Sequence, residues 1–226
     1  VTLDAALRMT EILLGLALLQ QSLEHLHSPK RDRVLFGARA ALCALLASGI
    51  GTSIALAGLA LLSLLILHRY QGPYNGGADR MGLLALWCLT AAHFLPQERW
   101  REIALGYLGA QLALSYFISG WVKVVNPDWR SGRALRDVFL FSAYPVAESL
   151  RRLTERRRFL FAASWAVMLL ELAFPFALLS QTSLMIALCL TTAFHLANAC
   201  LFGLNRFFWT WISVYPALVW LQGRVF

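Results

Sequence analysis

Apolar residues fall in eight long runs separated by short polar segments. The runs cover approximately Leu3–Leu26, Val34–Ser48, Thr52–His68, Met81–Leu95, Ile103–Val122, Phe159–Ser180, Thr182–Leu204 and Phe207–Leu221. They have the character of membrane helices, although several are shorter than the ~20 residues with which a straight α-helix crosses a bilayer. The pattern predicts an all-α fold, a polytopic membrane bundle of seven or eight transmembrane helices. Val34–Ser48 is the weakest span. It is short and runs into the next through Gly49-Ile50-Gly51, so a re-entrant or tilted piece also fits. The longest polar connection runs from Trp129 to Arg158, and within it Ser131–Phe141 and Val146–Arg158 read as amphipathic helices on the membrane surface. No internal repeat breaks the pattern, and residues 1–226 read as a single membrane domain with this surface segment inserted at about 129–158.

Composition agrees. Of the 226 residues 59% are hydrophobic and 14% charged, with a mean hydropathy of +0.61, values of a membrane protein. The net charge of +8 would suggest nucleic acid in a soluble protein. Here the arginines cluster between apolar runs, as membrane loops do, and no soluble basic domain exists to carry nucleic acid. Arg130, Arg133, Arg136, Arg151, Arg152 and Arg156 to Arg158 suit anionic membrane lipids or an acidic protein partner in the membrane. In an eight-helix count the Arg-rich loops share one side, which the positive-inside rule makes cytoplasmic. Cys43, Cys88, Cys189 and Cys200 lie inside apolar runs without metal or redox spacing. His25 and His27 sit beside a basic loop with no third ligand in view, so no metal site is expected. Val1–Leu26 lacks a basic start and carries Glu11 at its middle, so it reads as a helix rather than a signal peptide.

Candidate chemistry centres on Tyr116–Gly132, Y-F-I-S-G-W-V-K-V-V-N-P-D-W-R-S-G. Pro127 has no amide donor and disfavours helix at Asn126, so the preceding helix must end near Val125. Tyr116, Ser119 and Lys123 then share one helix face, and Gly120 lets a backbone or ligand approach closely. Two readings of Lys123 stand. It snorkels to the interface beside Trp121 and Trp129, or it is a base at the mouth of a pocket, since a desolvated lysine gives up its proton readily where arginine cannot. Glu171 lies near the centre of its run, where a carboxylate must be paired or neutral. It is either a partner for Arg8 or a pocket residue. Arg8 can also pair with Glu11, one turn away. Thr191 or Thr192, His195 and Asn198 form a polar stripe at helical spacing. His195 is a packing residue with a hydrogen bond or a functional one. In Tyr70–Arg80 the turn signals and an N-cap role explain Gly77 and Asp79 but leave Tyr74 and Asn75 unexplained.

Four stretches together resemble one family. Y-F-I-x-G-x-x-K followed by D-W-x-x-G, Y-N-G-G-x-D, L-E-L-x-x-P-F and F-H-L-x-N-x-x-L-F look like the membrane domain of vitamin K-dependent gamma-carboxylases and its bacterial relatives, the horizontally transferred transmembrane (HTTM) family. The resemblance covers most of the chain. It implies Lys123 as the base that starts vitamin K hydroquinone oxidation, His195 as a catalytic-site residue near the quinone headgroup, and Asn198, Tyr74, Asn75, Tyr116 and Glu171 as a quinone or lipid pocket. A quinone or quinol is the implied cofactor, and a bacterial inner membrane the implied location. There are departures. One extra residue separates Lys123 from Asp128-Trp129, and Gly77 stands where the carboxylases carry a histidine that helps the lysine. No stretch resembles their lumenal domain, so its substrate recognition does not transfer. The carboxylase lysine motif also faces the lumen, against the charge-based orientation.

The expectation is a shared cavity in which Lys123, His195 and Asn198 converge, with Tyr74, Asn75 and Tyr116 at its wall, because two ionisable groups in a bilayer share polar company at lower cost than they find it separately. Function divides into a quinol-linked membrane enzyme and a non-catalytic helper subunit that keeps a lipid or quinone cavity.

Overall fold

The computed structural model describes the backbone of residues 1–27, 30–70 and 76–225. The described residues form α-helices and short 3-10 turns: α1 (Leu3–Glu24), α2 (Lys30–Ser48), α3 (Thr52–Tyr70), α4 (Gly76–Phe94), α5 (Glu98–Val125), α6 (Pro127–Arg130), α7 (Arg133–Phe141), α8 (Pro145–Ser149), α9 (Arg157–Ala173), α10 (Gln181–Phe202) and α11 (Asn205–Val225). The expected all-α class holds.

Four segments among the described residues are long and apolar enough to cross a membrane: α3, α5, α9 with its 3-10 extension to Leu179, and α10. Seven or eight were expected. The shortfall lies in α1, α2, α4 and α11, which have spanning length but carry charges. Most of those charges are neutralised in pairs. Arg8 meets Glu11 at 2.9 Å, Arg101 meets Asp4 at 2.5 Å, Arg69 meets Asp32 at 2.5 Å, Arg206 meets Glu24 at 2.8 Å and Arg224 meets Glu102 at 2.9 Å. Hydropathy counts each charge at full cost, whereas a paired charge costs less. Large apolar side chains such as Ile54, Leu61 and Phe176 are exposed along the apolar segments, which suits helices solvated by lipid rather than water.

Val34–Ser48 forms most of a continuous 19-residue helix that starts at Lys30. One further expectation is corrected. Val146–Arg158 is not one surface helix: α8 stops at Ser149, a 3-10 turn covers Arg151–Glu155, and α9 starts at Arg157. Of the two surface helices, α7 matches the expectation closely. It buries only Phe139, whose ring meets Phe202 edge-on at 5.0 Å.

The chain divides into two compact units. Unit 1 comprises Val1–Ala110 with Arg206–Val225, and unit 2 comprises Gln111–Asn205. The core of unit 1 centres on Leu14, Cys43, Leu46, Leu56 and Leu218, all fully buried. In unit 2 the buried side chains include Leu112, Tyr116, Leu160, Met168, Glu171, Phe174, Leu184 and His195. The polar members of that core make up the site.

Candidate functional site

The α5 stripe of Tyr116, Ser119 and Lys123 forms as the spacing predicts, and each member finds a partner in unit 2. The helix ends where proline requires. Asn126 leaves helical geometry, its side chain accepts from the Asp128 amide at 2.9 Å, and Pro127 opens α6. Lys123, in the last turn of α5, does not snorkel outward. Its Nζ lies 2.8 and 2.6 Å from the two carboxylate oxygens of Glu171 and donates to Ser119 Oγ at 2.6 Å. Ser119 Oγ in turn donates to Glu171 at 3.2 Å. The indole of Trp129 covers the ammonium, with Nζ 5.3 Å from the ring centroid, a cation–π contact. The Lys123 and Glu171 side chains are 17% and 5% exposed, so this pair is largely withdrawn from solvent.

Gly120 makes the pairing sterically feasible. A Cβ there would stand 2.8 Å from the Leu172 amide nitrogen and 3.0 Å from Glu171 Cβ. The close approach expected at this glycine is therefore that of the α9 backbone. The loop after Lys123 is pinned to the same helix. Gly132 takes a left-handed φ of +78°, and a Cβ on it would meet the Phe161 backbone at 2.9 Å, so only glycine fits without strain. Ser164 and Trp165 on α9 donate to the carbonyls of Trp129 and Arg130, at 2.6 and 3.1 Å. In this way D-W-R-S-G fixes the end of α5 against α9, and with it the indole over Lys123.

One turn deeper along the stripe, the Tyr116 hydroxyl lies 2.9 Å from His195 Nε2. Tyr116 also packs on Phe174 with ring centroids 4.1 Å apart. Since Phe174 follows Glu171 by one turn, the ionic and aromatic groups occupy successive turns of the same two segments. The stripe on α10 is only partly functional in appearance. The hydroxyls of Thr191 and Thr192 bond back to carbonyls of their own helix. Asn198 is half-buried one turn beyond His195, and its carbonyl accepts the Gly203 amide that closes α10.

Other candidates fall elsewhere. Glu171 is Lys123's partner, not Arg8's. Arg8 bonds to Glu11 and to the carbonyls of Leu46 and Ala47, at 2.8 and 2.7 Å. Tyr74 and Asn75 lie outside the described residues. Gly77 is exposed on one side and flanked by aromatic rings on the other: a Cβ there would sit 3.2 Å from Phe207 and 3.7 Å from Trp211. A histidine at this position would need the Phe207 ring to give by a few tenths of an ångström. The sequence reading missed the Lys123–Glu171 pair itself and the roles of Ser164 and Trp165. It also passed over Arg39 and Gln21 of unit 1, although an arginine inside an apolar run was signal enough.

Apolar helices of spanning length around an internally paired charge define a helical membrane protein with a buried polar site. The chain belongs to the HTTM domain family, whose pattern matches residues 96–221, a stretch that runs from just before α5 into α11. No curated protein and no solved structure gives a significant match to the chain.

Proposed function

We propose that this membrane protein is a quinol-linked enzyme of the kind its resemblance to gamma-carboxylases implies, with Lys123 as the base. The observation that carries the reading is that Lys123 turns into unit 2 to meet Glu171 instead of pointing outward. An ammonium bonded to a carboxylate cannot take a further proton. Away from water, however, separated charges are costly, and the neutral amine–acid form of such a pair becomes accessible. Transfer of one proton from Nζ to a Glu171 oxygen frees the amine, which then accepts a proton from a nearby hydroxyl. Ser119 Oγ touches both partners and steadies the amine through that exchange. Tyr116 and His195 can each donate to a carbonyl oxygen or accept from a hydroxyl, and the Phe174 ring beside them offers an apolar wall. This donor set fits a quinol headgroup, which when bound supplies the ionisable hydroxyl and the reducing equivalents. In the same reading α1, α2, α4 and α11 are further spans of a single eight-helix domain in a bacterial inner membrane, with the Arg-rich connection cytoplasmic. Cysteine labelling at Ser131 tests that side.

Gly77 favours a second reading. The position has no titratable group, and the ring of Phe207 stands close against it, which suits a non-catalytic helper that keeps the polar pair as structure. Extraction of the purified chain separates the two. About one quinone per chain, lost in Lys123→Met, supports the enzyme. Ordinary phospholipid alone supports the helper.

A further inference from the structure

Unit 1 holds a second cation inside an apolar run, and it lacks the direct ion pair that Lys123 makes with Glu171. Arg39 sits midway along α2. Among the described residues no carboxylate comes within ion-pairing distance of its guanidinium. Its hydrogen bond to a side chain is a long one, 3.3 Å from Nη2 to Gln21 Oε1. A guanidinium has five donor hydrogens in a fixed fork, so most of its capacity is uncommitted to side chains. Gln21 is only 2% exposed, and its Nε2 amide has no hydrogen-bond partner among the described residues. Such a buried orphan donor is costly to leave unmatched. The bond from Arg39 fixes Oε1 as the acceptor, so turning the amide over would not repair it.

Both residues line one pocket, together with His25, Asp79 and Arg206 and a wall that includes Leu18, Phe36, Ile66 and Leu86. The enclosed space is about 40 Å³, against the roughly 10–15 Å³ that one water requires by the same measure. It therefore admits a small polar group, while the apolar wall continues beside it. The pocket is built from the last turns of α1 and α3 and the first turns of α4 and α11, that is, from helix ends on one side of unit 1. Arg39 follows the start of α2 by about 14 Å at 1.5 Å per residue, a depth that a lipid headgroup can reach.

We propose that this pocket binds the singly charged anionic head of an amphiphile, a phosphodiester or carboxylate whose oxygens accept from both Arg39 and the Gln21 amide, with its chain along the apolar wall. An anionic oxygen supplies at once a directly bonded anion for the Arg39 fork, which Asp79 faces only across the pocket, and the acceptor that Gln21 lacks. The other charges in the pocket set the valence. Arg206 is matched by Glu24 at 2.8 Å and also faces His25 Nε2 at 3.0 Å. Asp79 lines the pocket as a negative charge. The charges around the pocket therefore balance, Arg39 and Arg206 against Glu24 and Asp79, so a monoanion adds one net negative charge and a phosphomonoester dianion adds two, which disfavours the dianion. This site shares no residue with the Lys123 site and does not depend on the quinol reading.

The test uses the full chain, delipidated in an uncharged detergent, with binding followed by native mass spectrometry. The probes are dihexanoyl phosphatidylglycerol, decanoate, uncharged dihexanoylglycerol and inorganic phosphate. At least one charged amphiphile should bind tenfold or more tighter than dihexanoylglycerol, and tighter than inorganic phosphate. That preference should vanish in Arg39→Gln and in Gln21→Glu. The second variant keeps the side-chain shape, pairs Arg39 internally and repels an anion, so it tests the site even if the first folds poorly. Equal binding of charged and uncharged amphiphiles overturns the proposal, as does a preference that survives both variants. Inorganic phosphate binding as tightly as the phospholipid overturns the amphiphile and assigns the pocket to a free anion.

Discussion

Lys123 and Arg39 pose the same physical problem in two parts of one chain, and the two units answer it differently. In unit 2 the cation is met by Glu171 through both carboxylate oxygens, with Ser119 bridging and Trp129 above. In unit 1 the cation meets an amide oxygen at 3.3 Å and no carboxylate among the described residues. The lysine site is closed by the chain's own atoms, whereas the arginine site leaves room for the anion proposed above. Residue type suits the two proposals: lysine can exchange a proton, and arginine, which does not deprotonate in proteins, holds a fixed charge.

Breaking the lysine pair from one side should have the largest effect. Glu171→Leu leaves an unmatched ammonium, and about 3–5 kcal/mol of stability should be lost, whereas adding Lys123→Leu should recover most of it. Unfolding of the three variants in bicelles measures this, and a double variant as unstable as the single one would contradict the pairing. Gly120→Val comes next. It drives a side chain into the Leu172 backbone, and overpacking of this kind costs about 1–3 kcal/mol. It should also raise the accessibility of Lys123 to amine-reactive reagents; unchanged reactivity would mean that Gly120 does not hold the pair together. Tyr116→Phe removes one hydrogen bond to His195 and should cost about 1 kcal/mol, measured by the same unfolding assay. A value near zero would show that His195 is supported from elsewhere. Gly77→His should have the smallest effect, under about 1 kcal/mol for displacement of a movable ring, and Phe207→Ala in the same chain should relieve it. If the relief fails, Phe207 is not what fills that position.

The fold was legible in the sequence where the pattern is one-dimensional. Run length announced the helices, and Asn126-Pro127 announced the end of α5. The stripe of Tyr116, Ser119 and Lys123 followed from helical spacing, and the close approach at Gly120 from its lack of a side chain. What stayed hidden required knowing which helices are neighbours. Lys123 and Glu171 are 48 positions apart, and nothing in either run says that α5 and α9 touch. Seven or eight spans were expected and four described segments qualify; run length alone did not weigh the charges of α1, α2, α4 and α11, some of which find partners such as Arg101 for Asp4 that only the folded chain brings together. Val146–Arg158 looked like one helix because its amphipathic period survives the turn at Leu150. Gly77 looked like a missing histidine. The structure adds that Phe207 stands close beside the position.

The most direct test exploits the scarcity of lysine, since Lys30 and Lys123 are the two in the chain. Selective 15N labelling of lysine side chains gives two Nζ signals. If Lys123 is held by Glu171 inside unit 2, one signal exchanges its protons slowly and shifts in Glu171→Gln, while the Lys30 signal stays fixed. Two fast-exchanging signals, both indifferent to Glu171→Gln, would mean that Lys123 points outward to the headgroups and that the buried proton-exchanging site does not exist.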